Sequence, residues 1–377
     1  GSFYNDYDNR ENKDLDVDTA IRLLNYLSYY WNSSKNMSHD KNIYIGFYGG
    51  EPMKNMSFIR DIVDYVKHMN MLHNRFSFSI TTNALLLENH MDFLVENDFN
   101  LLISLDGDRE NNEYRVFKNG KPSYDHVFKS INYLRKKHPE YFKEKVNFNA
   151  VFHNKNTVEG LFSYFKETFD KIPAVNELST TGINPEKREE FLSTYSSITR
   201  DLSQSKNYET LEHEMFLNLP TVKDMIIFLH QYGGCTFRDY PSLVFPHKKG
   251  SRIPTGTCAP FSRKLFVTVN GKIFPCERIG HQFSLGYVDD KHVELDAEAI
   301  ARFYNGHFDV LRPMCKRCYN INACQECLFH MEFKDGKPVC RGFMDAERIA
   351  HYFAEHLSQL EAHPYLYERI MKEVISE

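Results

Sequence analysis

Asn42-Ile43-Tyr44-Ile45-Gly46-Phe47-Tyr48-Gly49-Gly50-Glu51-Pro52 begins as a short apolar and aromatic run and ends in two glycines, an acid and a proline. An amphipathic segment at about 57–69 comes next, so the order reads as strand, loop, helix. The glycines let backbone carbonyls approach a ligand, and Glu51 adds negative charge suited to an ammonium group. Taken alone, Gly-Gly-Glu-Pro is also an ordinary turn. Three further strand-like runs follow. Residues 75–80 end in Thr81-Thr82-Asn83-Ala84, 101–105 in Asp106-Gly107, and 146–151 in Phe152-His153. Helix-like segments lie between and after them, at about 86–97, 124–138 and 156–169. Strand alternating with helix predicts a parallel α/β sheet or barrel, and in barrels the polar groups at strand carboxyl ends line the active site.

The last third carries a different signal. Seven of the eight cysteines fall there, as Cys258-x12-Gly271-x4-Cys276, then Cys315-x2-Cys318-x5-Cys324-x2-Cys327, then Cys340. That is metal-ligand spacing. The turn Pro313-Met314-Cys315-Lys316-Arg317-Cys318 points two thiolates at one centre, which suits zinc or an iron–sulfur cluster. Cys235 lies upstream and completes the number needed for two four-cysteine centres. It reads either as a ligand or as a free buried thiol. Zinc stays open, because paired C-x2-C turns also build closed tetrahedral sites. Disulfides are less called for: a chain of 377 residues buries a core without staples, and no secretory signal is visible. The run at 264–275, with Asn270-Gly271 at its turn, predicts a hairpin that returns Cys276 beside the strand following Cys258.

Elsewhere the reading is coarser. An amphipathic helix is expected at about 17–31, a polar helical bridge at about 184–234 and a helix at about 345–360. A net charge of −5 gives no basic footprint for nucleic acid, and no apolar run is long enough to span a bilayer. Neither nucleic acid nor membrane is therefore an expected partner, and the expected setting is cytoplasmic. Aromatic residues are plentiful, with 30 Phe and 23 Tyr, and most are expected in the core with some free to line a peptide groove.

In this order, Gly49-Gly50-Glu51-Pro52, Thr82-Asn83, Ser104-Leu105-Asp106-Gly107 and Tyr114-Arg115 resemble the radical S-adenosylmethionine (SAM) fold. The cysteine pattern over about 255–345 resembles the SPASM domain, the twin-cluster module that follows such a barrel in many peptide maturases. Within that class the chain looks most like maturases of Bacteroidales peptide-modification systems. The resemblance implies an α/β fold: a partial (β/α) radical SAM barrel over 1–183, a helical bridge over 184–254, the SPASM domain over 255–345 and a helical tail over 346–377. It implies that Gly49, Gly50, Glu51 and Pro52 hold the ammonium of SAM, that Ser104 and Arg115 approach its carboxylate, and that Asn83 and Asp106 belong to the same site. A guanidinium fork suits a carboxylate better than a lysine would.

By the same resemblance, Cys258, Cys276 and Cys327 hold a first auxiliary [4Fe–4S] cluster with Cys235 as candidate fourth ligand. Cys315, Cys318, Cys324 and Cys340 hold the second. The family pattern has a three-residue gap where Cys324-Gln325-Glu326-Cys327 has two. Glu277, directly after Cys276, stands where related sulfatase maturases place a proton-accepting aspartate, and reads either as a base or as a solvated surface glutamate. The implied activity is hydrogen abstraction from a ribosomally made precursor peptide by a 5′-deoxyadenosyl radical, with an electron donor such as flavodoxin or ferredoxin. The family's Cys-x3-Cys-x2-Cys motif for the SAM-binding cluster is missing, since no cysteine precedes Cys235. An upstream segment is expected to carry it, so this chain alone is expected not to cleave SAM. The other readings are a non-catalytic peptide-binding scaffold that never had the motif, and a zinc-stabilised binding protein.

Overall fold

The computed structural model describes residues 3–4, 13–36, 42–180, 182–232, 255–321 and 324–374. They form two compact units, Gly1–Pro220 and Thr221–Glu377. Helix α1 (Val17–Trp31) opens the first, capped by Asp16, whose carboxylate accepts from Thr19 N at 2.8 Å. Five parallel strands follow: β1 (Asn42–Phe47), β2 (Arg75–Thr82), β3 (Asn100–Ser104), β4 (Val146–Phe152) and β5 (Ala174–Glu177). They pair in sequence order, β1-β2-β3-β4-β5. A doubly wound sheet reverses its strand order at a switch point, whereas sequential pairing through right-handed crossovers keeps all helices on one face and curls the sheet into a barrel wall. The connecting helices are α2 (Met56–Lys67), α3 (Leu87–Glu96), α4 (Tyr124–Lys137) with the short α5 (Pro139–Lys145), and α6 (Val158–Phe169).

Strand register separates the two faces. Phe47 pairs with Ile80, Ile80 with Leu101 and Leu101 with Val146, and all four are buried. Phe99, Phe148, Phe152 and Phe165 add to this core, so the phenylalanine content goes mainly to the sheet–helix contact. The alternate positions are mainly polar, with Ser77, Ser79 and Thr81 on β2, Ser104 on β3 and Asn147 and Asn149 on β4, beside the apolar Leu102 and Val151. A period of two therefore leaves one face of the wall apolar and covered and the other mainly hydrophilic. Strand β5 was not anticipated from the sequence, because only Val175 of its four residues is even partly buried. Helices α7 (Arg188–Thr194), α8 (Ile198–Gln204) and α9 (Tyr208–Glu214) close the first unit, and α10 (Pro220–Tyr232) leads into the second. The expected bridge is helical as far as Tyr232, and its remainder, at 233–254, lies outside the described residues.

The second unit holds an antiparallel sheet of β6 (Phe266–Val267), β7 (Lys272–Phe274), β8 (Gly286–Val288) and β9 (Val293–Glu294). Its core is made on α11 (Ala297–Cys315), which the sequence reading did not anticipate. Ile300, Tyr304, Phe308 and Leu311 line one face of that helix and pack with Phe274, Ile279, Leu285, Leu328 and Phe329. Asp296 caps it, accepting from Glu298 N at 2.9 Å and Ala299 N at 3.0 Å. The hairpin β10 (Glu332–Lys334) with β11 (Lys337–Val339), then α12 (Ala346–Ala362) and α13 (Tyr365–Glu373), complete the unit. No helix among the described residues is long and apolar enough to cross a membrane.

Candidate cofactor-binding sites

Parallel strands present all their carboxyl ends on one rim, so β1 to β4 bring Gly49–Pro52, Thr82–Asn83, Ser104–Asp106 and His153 into one row. Glu51 is fixed there by three donors. Oε1 accepts from Met53 N at 3.1 Å and from Thr82 Oγ1 at 2.8 Å, and Oε2 accepts from Asn83 N at 2.8 Å. A carboxylate has about four lone-pair sites, so one acceptor position on Oε2 is left for a ligand such as an ammonium group. A Cβ added at Gly49 or Gly50 would meet nothing within 4 Å, so this loop borders open space. Ser104 ends β3, half-buried, and its hydroxyl has no partner among the described residues.

Asp106 is buried, and its side chain ties three segments together. Oδ2 accepts from Arg115 Nε and Oδ1 from Arg115 Nη2, both at 2.7 Å, while Oδ1 also accepts from Val151 N at 2.8 Å. Asp106 N donates to Asn112 Oδ1 at 3.0 Å, which holds the loop after β3 against itself. Arg115 thus spends two of its five N–H donors on Asp106 and keeps three. Beside it His153 is buried with its ring edge-on to Tyr114 at 4.9 Å. Burial lowers the His153 pKa below the ordinary histidine value, against an opposing pull from Asp106. Asn156 accepts from His153 N at 3.0 Å and donates to Val151 O at 2.9 Å, shaping the turn after β4.

The cysteines of the second unit fall into two groups. Cys315, Cys318, Cys324 and Cys340 line one cavity together with Thr255, Met314, Ile321, Met331 and Phe343. Cys258, Cys276 and Cys327 form the other, close enough for Cys258 and Cys276 to act electrostatically on Cys327. Local backbone structure brings that group together. Gly256 N donates to Glu326 O at 2.9 Å and Leu328 N to Thr257 Oγ1 at 2.9 Å, which lays the segment bearing Cys258 along the one bearing Cys327. A Cβ at Gly256 would stand 2.3 Å from the Gln325 carbonyl carbon, so only glycine allows this approach. Gly271 closes the β6–β7 loop at φ 75°, and a Cβ there would lie 1.9 Å from Val288 O. The glycine at fixed distance before Cys276 thus lets β7 pair with β8 and deliver the thiol.

Backbone amides already point at sulfur. Arg278 N donates to Cys276 Sγ and Met344 N to Cys318 Sγ, each at 3.3 Å, and Cys327 and Cys340 receive amides from Phe329 and Gly342. Such N–H···S bonds stabilise thiolates and tune the potential of iron–sulfur centres. Burial raises the pKa of Cys315 and Cys327 and pushes Cys340 up to about 11. No three His, Cys, Asp or Glu side chains among the described residues are arranged to hold a single metal ion. Four thiols lining one cavity are the donor set of a four-cysteine centre. Cys235 lies outside the described residues.

Glu277 is not a free surface carboxylate. Lys264 Nζ donates to both its oxygens at 2.9 Å. Burial pushes its pKa up, but the Lys264 hydrogen bonds, its own backbone N–H and the charges of Lys264 and Arg278 together leave it below the ordinary glutamate value. Tyr304, which the sequence reading did not single out, is buried with its hydroxyl lacking any partner among the described residues. An unmet buried donor costs about 1–3 kcal/mol, so an acceptor is to be expected at that place. Its position on one stripe with Ile300, Phe308 and Leu311 marked it as core, and nothing in that spacing distinguishes a polar tip.

Comparison with known proteins places a class on this architecture. Residues 34–162 match the Radical SAM superfamily. An uncharacterized protein of Methanocaldococcus jannaschii is 36% identical over 128 residues, 34% of this chain and 41% of that protein. A cysteine-type anaerobic sulfatase-maturating enzyme of Clostridium novyi is 26% identical over 307 residues, 77% of this chain and 72% of the relative. The radical SAM cyclopropyl synthase TigE of Paramaledivibacter caminithermalis is 23% identical, over 79% of this chain and 57% of its own. The chain thus spans under two thirds of the first and third of these relatives.

Among solved structures, native anSMEcpe with bound AdoMet matches with TM-score 0.55 and 19% identity, covering 95% of this chain and 89% of that one. The same protein with AdoMet and the Cp18Cys peptide gives TM-score 0.56 at 21% identity, over 93% and 89%. At such identity these structures establish the fold. Residues 34–162 match the Radical SAM superfamily, and the resemblance to radical SAM maturases with a cysteine-rich C-terminal region holds.

Proposed function

We propose that this chain is the body of a twin-cluster radical SAM maturase that acts on a ribosomally made peptide. The observation that carries the reading is the row formed by Gly49–Pro52, Asn83, Ser104 and Arg115 at one sheet rim. The two thiol groups of the second unit support it. When bound, SAM and a reduced cluster would supply the electron transfer and the hydrogen-abstracting chemistry.

The chain's own residues bind and orient. The remaining acceptor on Glu51 takes the ammonium of SAM, and Gly49, Gly50 and Pro52 form the loop that leaves it room. Ser104 and the unspent N–H groups of Arg115 meet its carboxylate. Asp106 touches no ligand in this reading; it fixes Arg115, and through Val151 N it joins β3 to β4. Cys258, Cys276 and Cys327, with Cys235, hold one auxiliary [4Fe–4S] cluster, and Cys315, Cys318, Cys324 and Cys340 hold the other. Glu277, kept ionised beside Cys276, is the candidate acceptor of a substrate proton. The electron donor is of the flavodoxin or ferredoxin kind. A peptide substrate is favoured because a solved structure of like fold carries one.

The Cys-x3-Cys-x2-Cys motif is not among residues 1–234, so the test uses the product of the complete gene. Purified anaerobically, it should hold about four irons per auxiliary centre, with matching acid-labile sulfide. Reduced in the presence of SAM it should release 5′-deoxyadenosine, measured by mass spectrometry. Stoichiometric zinc without sulfide would exclude the clusters, and no 5′-deoxyadenosine even with the peptide encoded nearby would leave a peptide-binding scaffold in place of an enzyme.

A further inference from the structure

Tyr304 is a buried polar group to which the proposed function gives no role. Its ring is held edge-on to Phe329 at 5.4 Å and beside Phe303 and Phe308 at 6.2 Å, inside an apolar cluster. The hydroxyl finds no acceptor among the described residues, sulfur included. Cys276 and Cys327 of the first thiol group pack against this cluster, and Phe329, on which the Tyr304 ring rests, is two residues from Cys327. We propose that Tyr304 Oη donates a hydrogen bond to a sulfur of the centre held by Cys258, Cys276 and Cys327, an inference that rests on the two-cluster reading above.

Donation, rather than ligation by the phenolate, follows from the surroundings. A buried hydroxyl with no partner in an apolar pocket has its donor to offer to the nearest acceptor. A hydrogen bond to a cluster sulfur spreads negative charge and favours the reduced state. Tyr304 is thus a positioning and tuning residue, acting on the potential of one centre only.

The test compares the complete gene product with its Tyr304→Phe variant, both loaded anaerobically with iron and sulfide. Phenylalanine keeps the ring and its packing. Redox titration followed by electron paramagnetic resonance reads each centre, with Cys340→Ala used to assign the signals. At a fixed potential the variant should shift the first centre about tenfold toward its oxidised form, a lowering of about 59 mV for one electron, with the second centre unchanged. In D2O the wild-type protein should show an exchangeable deuteron coupled to the first centre, and the variant should lose it. Equal potentials in the two proteins, or no such deuteron in the wild type, overturn the proposal. Loss of the first centre's iron in Tyr304→Phe also overturns it, because the residue would then be a ligand. If the wild-type protein itself holds zinc or only the second centre, the two-cluster reading fails first, before any variant is compared.

Discussion

Replacing Asp106 with asparagine removes the anion that holds the rim proposed for SAM together while keeping the side chain's size. Asp106 is 4% exposed at its side chain and Arg115 26%, so the aspartate is dry and the arginine partly wet. The substituted amide could still accept from Val151 N, but it could offer only one oxygen to a fork that now meets two, and its NH2 group would confront an N–H of Arg115. Breaking a buried ion pair at one partner costs about 3–5 kcal/mol. Arg115 can turn to water, so Asp106→Asn is expected just below that range, at about 2–3 kcal/mol. Arg115→Met leaves the buried carboxylate with Val151 N alone and should cost more, about 3–5 kcal/mol. For a unit of this size each kcal/mol moves the melting temperature by about 2–4 °C, so Asp106→Asn should lower it by about 4–12 °C. Denaturant unfolding of both single variants and the double variant gives the coupling, expected to be at least about 1 kcal/mol. If the losses add within about 0.5 kcal/mol, or Asp106→Asn melts with the parent, the pair does not anchor the rim. Arg115 would then be free to serve SAM alone.

Three further outcomes are expected. Cys235→Ala should leave the centre at Cys258, Cys276 and Cys327 labile while the other keeps its iron, and unchanged iron content and spectra would make Cys235 a plain thiol. Gly271→Ala forces a Cβ to 1.9 Å from Val288 O at φ 75°, so it should destabilise the second unit by more than about 1 kcal/mol in denaturant titration and reduce iron retention near Cys276. A normal midpoint with full iron would show that the β6–β7 loop relaxes freely. His153, whose burial lowers its pKa, binds its proton less readily folded than unfolded, so stability should fall as pH drops below about 6.5. His153→Gln should flatten the melting temperature between pH 7 and 5, and an unchanged slope would assign the acid sensitivity elsewhere.

The parts of the fold legible in the sequence are those where a local pattern matches a local cause. Residues 42–52 read as strand and loop because apolar alternation stops at glycine, and α1 is found at 17–31 because Asp16 caps a stripe that buries Ala20 and Leu23. What the sequence hides is set by distance. Helix α11 carries an apolar stripe at positions 300, 304, 308 and 311, yet Pro313 near its end and the cysteines beyond it draw attention to a turn. In the structure both are true, for Cys315 is the last residue of the helix and Cys318 N returns to Cys315 O at 3.0 Å.

The same holds at the rim. Glu51, Ser104 and Arg115 can be picked out singly by residue type, but that Glu51 is already bound by Thr82 and Asn83, and Arg115 by Asp106, depends on neighbours 31, 32 and 9 positions away. Those bonds change what the residues can do. A carboxylate with one acceptor left holds a single N–H in a fixed direction, and a guanidinium pinned along one edge presents the other without swinging. A rim whose charged groups are first spent on each other is preorganised, so binding a zwitterion there costs little side-chain entropy, and this is why the anchor at Asp106 is expected to matter to SAM without touching it.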